Sequence, residues 1–152
     1  MKRIAIILIL TSAISCTSQR KEKMDITGDW YNYKNTSAKD ITYVETWIDK
    51  DSVYTYNDFG GQISSYNYII EDSILYSKNN KKKGLKIKII DKNTISLGRE
   101  DGYIIFKRIV TNGIKLEDFL FKDKSEDDFR VDFNKRKTVW EKARNKEGNT
   151  SN

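Results

Sequence analysis

The sequence predicts a mainly β protein: a short-stranded antiparallel up-and-down barrel of about eight strands, followed by a C-terminal α-helix. Between residues 25 and 110, short stretches rich in β-branched and aromatic residues alternate with turns. The connections between these stretches are too short for crossover helices, so neighbouring strands are expected to pair antiparallel. Beyond residue 110 the alternation stops, and aromatic residues recur at helical spacing instead.

Eight stretches are candidate strands, because each is apolar at alternate positions or dense in Val, Ile, Tyr and Thr. They cover residues 30–33, 41–48, 53–56, 66–70, 74–76, 85–89, 94–97 and 103–106. Clusters of Asn, Asp, Gly and Ser separate them, among them 57–61 and 79–84, and these residue types favour turns. Hairpin-connected strands in this number close most naturally into a barrel, so residues 25–110 are predicted as one barrel domain.

The segment 111–152 is predicted as a charged tail with a helix at about 126–146. Ser125 is a candidate N-cap, and three acidic residues follow it in the first turn, where they suit the helix dipole. One helical face carries an aromatic stripe formed by Phe129, Phe133 and Trp140. We expect this stripe to pack against the barrel. The alternative is that the stripe, together with residues 119–121, forms a partner-binding face.

The amino-terminal residues indicate export. Lys2 and Arg3 precede an apolar run at 4–10, and small residues follow the run, as in a secretory signal peptide. The run is shorter than the roughly 20 apolar residues that a membrane-spanning helix needs. Cys16, the only Cys in the chain, comes directly after this segment.

The residues Ala13-Ile14-Ser15-Cys16 resemble the lipobox of small bacterial lipoproteins of the Bacteroidetes type. The resemblance implies a signal peptide at 1–15, acyl chains such as palmitate carried at Cys16, and a tether at 16–24. Two or three acyl chains give stable anchoring to a membrane. The tether is basic where surface-exported lipoproteins carry acidic residues, which favours the periplasmic side of the outer membrane over the cell surface. The alternative is an ordinary signal peptide with an incidental Cys.

A second resemblance lies at the start of the first candidate strand. The residues Gly28-Asp29-Trp30 look like the Gly-x-Trp that opens lipocalins and their small bacterial relatives. In that family a basic residue of the last strand packs across the Trp, and Arg108 occupies the corresponding position here. The resemblance implies that Trp30 closes one end of the barrel under a stacked Arg108. Lipocalins also carry a helix after the last strand.

The composition argues against an enzyme. The 152 residues include no His and one Cys, which excludes a His general base, a Ser/His or Cys/His pair, a Cys-cluster metal site and an internal disulfide. No pair of carboxylates is singled out by its spacing. We therefore expect no catalytic residue, no metal and no cofactor. The formal net charge is +6, but an exported chain is not expected to bind nucleic acid.

Two functions of different classes remain. The first is a membrane-anchored binding module that takes up a small, partly apolar ligand, with aromatic strand residues as candidate lining. These are Tyr43, Trp47, Tyr54, Tyr56, Tyr66, Tyr68 and Tyr103, although strand alternation sends about half of them outward. The second is a protein-interaction lipoprotein, such as an inhibitor, an immunity factor or an envelope-assembly accessory, without an enclosed pocket.

Lipid anchoring at Cys16 is directly testable. Expressed in a Gram-negative host, the native chain is expected to partition into the detergent phase, because its acyl chains prefer an apolar environment. The Cys16→Ser variant is expected to lack the lipid and to stay in the aqueous phase. Equal partitioning of the two chains would contradict the prediction.

Overall fold

The computed structural model describes residues 24–38, 41–59 and 61–149. Eight antiparallel strands close into one barrel, in which each strand pairs with its neighbours in sequence and the first pairs with the last. The strands are β1 (Gly28–Asn35), β2 (Glu45–Ile48), β3 (Ser52–Tyr56), β4 (Ile63–Glu71), β5 (Ile74–Ser77), β6 (Asn80–Asp91), β7 (Thr94–Arg99) and β8 (Gly102–Arg108). Two helices follow, α1 (Leu116–Phe121) and α2 (Glu126–Asn149). The predicted fold class is confirmed.

The second candidate strand is shorter than predicted. The predicted strand covers residues 41–48, but β2 begins at Glu45. The preceding segment is held by the side chain of Asn32: its Nδ2 donates to the carbonyl of Thr42 at 2.5 Å, and its Oδ1 accepts from the amide of Val44 at 2.8 Å. A side chain on β1 thus replaces part of the backbone ladder.

The predicted turn at 79–84 is also too long. Ser77 pairs with Asn80 in register, which leaves only two residues to reverse the chain, and β6 continues through Lys81, Lys82 and Lys83. In the sequence, these lysines lie between Asn80 and Gly84, two residue types that favour turns, and the whole run therefore resembles a loop. In the structure they are exposed, and Lys81 pairs with Glu71 at 2.8 Å, so a strand that faces solvent tolerates them.

Nine buried side chains fill one end of the barrel interior. They come from β1 to β7 and from the segment before β1, and Phe106 of β8 packs against them: Ile26, Trp30, Ile48, Val53, Tyr68, Leu75, Ile87, Ile95 and Leu97. Tyr68 also donates its hydroxyl to the carbonyl of Asp49 at 2.5 Å, which ties the interior to the β2–β3 turn. This filled end, where the chain enters the barrel, is called the closed end below.

Trp30 lies at the centre of the closed end with 1% of its surface exposed. Its indole Nε1 donates to the carbonyl of Ile26 at 2.9 Å. The guanidinium carbon of Arg108 lies 4.2 Å from the centroid of the indole, and Arg108 Nη1 donates to the carbonyl of Thr27 at 3.0 Å. The structure therefore places both residues as the lipocalin resemblance implied.

Gly28 is required by the same arrangement. Its φ of 129° lies in the region that other residues rarely adopt. A Cβ atom at this position would lie 2.1 Å from Arg108 Nη1 and would displace the guanidinium from the indole.

A second core lies outside the barrel, between the outer face of β1–β3 and the two helices. Its buried members are Tyr43, Trp47, Tyr56, Leu116, Phe129, Phe133 and Trp140. The aromatic stripe of α2 thus packs on the barrel wall. At the end of the stripe, Trp140 Nε1 donates to the carbonyl of Asn32 at 3.0 Å, beside the irregularity in the β1–β8 register. At the start of α2, Ser125 Oγ accepts from the amide of Asp128 at 3.1 Å, as an N-cap does.

The short helix α1 fastens the tail to β1 and has no counterpart in the sequence prediction. Asp29 is 4% exposed, and its Oδ1 accepts from the amide of Glu117 at 3.1 Å. Its Oδ2 lies 3.1 Å from Lys115 Nζ. Burial raises the pKa of Asp29, against the lowering effect of these partners. Six residues are too few to show a helical period, so the sequence carried no clear signal for α1. Neither helix of the described residues combines the length and apolarity needed to cross a membrane.

Because Trp30 is buried in the closed end, Trp30→Ala is expected to destabilise the protein strongly. Removing the indole from a filled core is expected to lower the free energy of unfolding by about 3–5 kcal/mol. Phe59→Ala is the matched control, because Phe59 is 92% exposed and its loss is expected to change stability by less than about 0.5 kcal/mol. Urea denaturation followed by circular dichroism measures both. Similar unfolding midpoints for the two variants would show that Trp30 does not anchor the core.

Candidate ligand-binding site at the barrel mouth

The end of the barrel opposite Trp30 contains a cavity of about 470 Å³, called the mouth below. Its floor is the apolar top of the closed end: it consists of Ile48, Val53 and Leu97, which belong to the closed end, and Phe106, which packs against them. Its walls come from the far halves of β1, β3 and β8 and from the β7–β8 turn. The inward side chains of the strands thus fill one end of the barrel, and the other end stays open.

Polar groups occur in the wall and at the rim of the mouth. Thr46 and Thr55 are paired in register on β2 and β3, and both line the cavity, so two hydroxyl groups lie side by side. Arg99 and Asp101 contribute opposite charges at the rim, beside the β7–β8 turn. A few polar groups above an apolar floor are typical of sites that orient a small ligand.

The rim between β1 and β8 is fixed by hydrogen bonds. Asn35 Oδ1 accepts from the amide of Ser37 at 2.9 Å, which forms a tight turn at the end of β1. Three hydrogen bonds join Thr36 to Tyr103. The Thr36 amide donates to the Tyr103 carbonyl at 3.0 Å, the Thr36 hydroxyl donates to the same carbonyl at 3.2 Å, and Thr36 Oγ1 accepts from the Tyr103 amide at 2.9 Å. These contacts hold this side of the mouth in one conformation.

Two of the seven aromatic residues predicted as lining are found at the mouth, namely Tyr66 and Tyr103. Partial burial raises the pKa of the Tyr66 phenol above its ordinary value. A phenol is protonated at neutral pH in any case, and its hydroxyl can both donate and accept a hydrogen bond. Tyr68 is inside the barrel but belongs to the closed end, below the mouth.

The remaining four predictions are wrong for the barrel interior: Tyr43, Trp47, Tyr54 and Tyr56 lie on the outer face. Tyr56 packs edge-on against Phe129 and Phe133, at ring-centroid distances of 4.9 and 4.8 Å. Trp47 and Tyr54 contact the ring of Phe121. The physical reason is that α1 and α2 cover this face, so outward positions on β2 and β3 are as apolar as inward ones.

The outer core also holds a buried ion pair. Glu45 is fully buried, and its two carboxylate oxygens accept from Arg136 Nε at 2.7 Å and Arg136 Nη2 at 3.0 Å. Tyr43 donates its hydroxyl to Glu45 Oε1 at 2.8 Å. The pKa of Tyr43 is raised, mainly by burial and to a smaller extent by the neighbouring carboxylate of Glu45. The network fixes α2 on β2, because both carboxylate oxygens of Glu45 accept hydrogen bonds from Arg136.

Several residues that line the mouth were missed by sequence reasoning, notably Thr46, Thr55 and Ile104. The register of strand pairing identifies the two threonines as lining residues. Trp30 pairs with Thr46, and Thr46 pairs with Thr55, so all three side chains lie on the inner face of the barrel. Register follows from turn lengths and bulges that the sequence shows only weakly. No group of acidic or Cys residues in the described part of the chain is placed to hold a metal ion.

The closed eight-stranded meander, the stacked tryptophan at its closed end and the helix after its last strand define a lipocalin-like barrel. Two solved structures resemble the chain. One is a protein from Bacteroides eggerthii DSM 20697, with 12% identity and a TM-score of 0.43 over 56% of this chain and 100% of that one. The other is a lipocalin-like protein from Bacteroides uniformis ATCC 8492, with 16% identity and a TM-score of 0.41 over 55% and 97%. No family model and no curated protein matches the sequence.

The buried ion pair predicts a strongly non-additive double mutant. Glu45→Met alone is expected to cost about 3–5 kcal/mol of stability, because it leaves the Arg136 charge buried without its partner. The double variant Glu45→Met/Arg136→Met is expected to regain most of that loss, since no charge is then buried. Urea unfolding of the wild type, both single variants and the double variant gives the coupling energy. Additive losses would show that the two groups act independently.

Proposed function

We propose that this protein is a binding module that takes a small, partly apolar ligand into the mouth of its barrel. The observation that carries the proposal is the cavity of about 470 Å³ above a filled closed end. Small-molecule sites typically enclose about 300–1,000 Å³ and combine apolar walls with a few oriented polar groups. The mouth has both properties.

The arrangement of the lining suggests how the ligand is oriented. Its apolar part would rest on the floor between Ile48, Val53 and Phe106. The hydroxyls of Thr46 and Thr55 would then meet a polar atom midway up the wall. A polar end would remain near Arg99 and Asp101 at the rim. A small ring or short branched chain that carries hydroxyl or carbonyl groups matches this order.

The proposal includes attachment to the bacterial cell envelope through lipid at Cys16, on the periplasmic side of the outer membrane. It is supported by the lipobox-like residues 13–16 after the apolar run. Cys16 itself lies outside the described residues. In this proposal the protein binds its ligand without transforming it, in keeping with a sequence that lacks His.

The protein-interaction alternative loses most of its first candidate surface in this structure, although Phe121 at its edge is 56% exposed. The aromatic stripe of α2 is covered by the barrel wall, with Phe129 and Phe133 at 0% and 1% exposure and Trp140 at 9%. Phe119 stacks on Phe129 at a centroid distance of 5.1 Å and belongs to the same core. These side chains therefore stabilise the fold and are not available to a partner.

Filling the mouth tests the proposed function. Thr55→Phe places a ring into the cavity at a strand position that favours aromatic residues. Binding of the neutral apolar probe N-phenylnaphthylamine, measured by its fluorescence, is expected to weaken by about tenfold or more. Thr138→Phe makes the same change on the exposed face of α2 and is expected to leave probe binding unchanged. Unaltered probe binding in Thr55→Phe, with an unchanged melting temperature, would exclude the mouth as the site.

A further inference from the structure

The inward side chains of the mouth form two layers, an apolar floor and a polar layer above it. Inward positions alternate along a strand, so the next inward residue lies two positions from each floor residue. On β2, β3 and β7 this next residue is polar: Thr46, Thr55 and Arg99. Asp101 joins them from the β7–β8 turn and lines the same cavity. These four residues are called the polar layer below.

Thr46 is the most deeply buried member of the polar layer. It is 6% exposed, and its hydroxyl has no hydrogen-bond partner among the described residues, yet this oxygen is accessible from the cavity. The hydroxyl of Thr55, its partner in register, is also unpaired within the described part of the chain. A polar group removed from bulk water gains most from a partner nearby, so both hydroxyls are available to a ligand.

Arg99 and Asp101 supply charges of opposite sign with one residue between them. They are the only charged residues among the described residues that line the mouth. In the part of the chain that the structure describes, neither side chain forms an ion pair or a hydrogen bond, either with the other or elsewhere. The mouth therefore offers one unpaired cation and one unpaired anion beside two free hydroxyls.

This pair of charges discriminates between classes of ligand. A simple carboxylate is attracted by Arg99 and repelled by Asp101, and a simple amine meets the reverse arrangement. A neutral polyol would hydrogen-bond to the hydroxyls but would leave both charges without a counter-charge. A zwitterion, with its cation and anion close together, complements both charges at once.

We propose, on the basis of the function proposed above, that the mouth binds a free α-amino acid with an apolar side chain. Its carboxylate pairs with Arg99, and its ammonium group pairs with Asp101. The ammonium group also donates to the hydroxyl of Thr46 or Thr55, since it has three donors and Asp101 does not use them all. The apolar side chain lies on the floor of the cavity.

The test uses isothermal titration of the full chain with L-phenylalanine and L-leucine. The matched ligands are 3-phenylpropanoate, which lacks the ammonium group of phenylalanine, and 2-phenylethylamine, which lacks the carboxylate. Each is expected to bind about fivefold more weakly than L-phenylalanine, the effect of one partly exposed ion pair. Absence of binding of both amino acids, or equal binding of the three phenyl ligands, would overturn the proposal.

Two substitutions in the β7–β8 turn test the recognition of the ammonium group. Asp101→Asn is expected to weaken L-phenylalanine binding by about fivefold and to leave 3-phenylpropanoate binding no weaker, because that ligand has no ammonium group. Glu100→Gln removes a carboxylate from the same turn, but Glu100 does not line the mouth, so it is expected to have no effect. Equal effects of the two substitutions on L-phenylalanine would show long-range attraction only and would overturn the proposal.

Arg99→Gln provides the converse test. It is expected to weaken L-phenylalanine binding by about fivefold and to leave 2-phenylethylamine binding no weaker, because that ligand has no carboxylate. Weaker binding of both ligands by the same factor would contradict the pairing of Arg99 with the carboxylate.

Thr46→Val tests the buried hydroxyl, since it removes that group and keeps a β-branched side chain. L-phenylalanine binding is expected to weaken by about fivefold or more, because a hydrogen bond to a charged group is lost. Thr138→Val makes the same change on the exposed face of α2 and is expected to leave binding unchanged. Unaltered L-phenylalanine binding in Thr46→Val would overturn the assignment of the polar layer as the site of the ammonium group.

Thr55→Phe separates this proposal from the proposed function. The variant is expected to lose both N-phenylnaphthylamine and L-phenylalanine. If it loses N-phenylnaphthylamine and keeps L-phenylalanine, the amino acid binds elsewhere, and this proposal is overturned while the proposed function stands. The same holds if the wild type binds N-phenylnaphthylamine in the mouth and neither amino acid. If Thr55→Phe keeps both ligands, the mouth is not the site, and both proposals fail.

Discussion

Burial of β1–β3 on both faces is the constraint on which the rest of the structure depends. The inner faces of these strands contribute Trp30, Ile48 and Val53 to the interior, while their outer faces contribute Trp47 and Tyr56 to the core beneath the helices. All four residues of β2 are buried. A barrel of such short strands encloses little apolar volume, because small domains bury a smaller share of their surface. The outer core adds the missing apolar contacts, so α2 is an integral part of the folding unit.

A purely apolar outer core would leave the position of α2 on the wall loosely defined. Glu45 and Arg136 prevent this, since their two hydrogen bonds form at only one position and rotation of the helix. We interpret the pair as a device for register, which is the best-attested role of buried ion pairs. Its cost is the desolvation of two charges. Its benefit is a unique arrangement of α2 on the barrel wall.

The same two-sided burial explains what the sequence could and could not predict. Strand number, antiparallel pairing and the C-terminal helix follow from turn residues and periodicity, and these are local signals. Local signals do not determine which face of the sheet each tyrosine occupies. In a strand with one solvent-exposed face, alternation shows which residues point inward. β2 and β3 are covered on both faces and carry large apolar side chains at neighbouring positions, such as Trp47 and Ile48, so alternation gives no such information. Tyr43 and Tyr56 were therefore grouped with Tyr66, although a barrel wall separates them.

The closed end gives the barrel a direction. Met24 to Thr27 lie beside the β2–β3 and β4–β5 turns, at the end that Trp30 seals, whereas the mouth opens between the opposite ends of the strands. If Cys16 carries lipid as proposed, the anchor joins the barrel at its sealed end, and the opening lies at the end of the barrel away from the attachment point. Ligands would then arrive by diffusion through the aqueous compartment and not laterally from the membrane. Dissolved metabolites, rather than bilayer-resident lipids, would be the molecules that such an orientation samples.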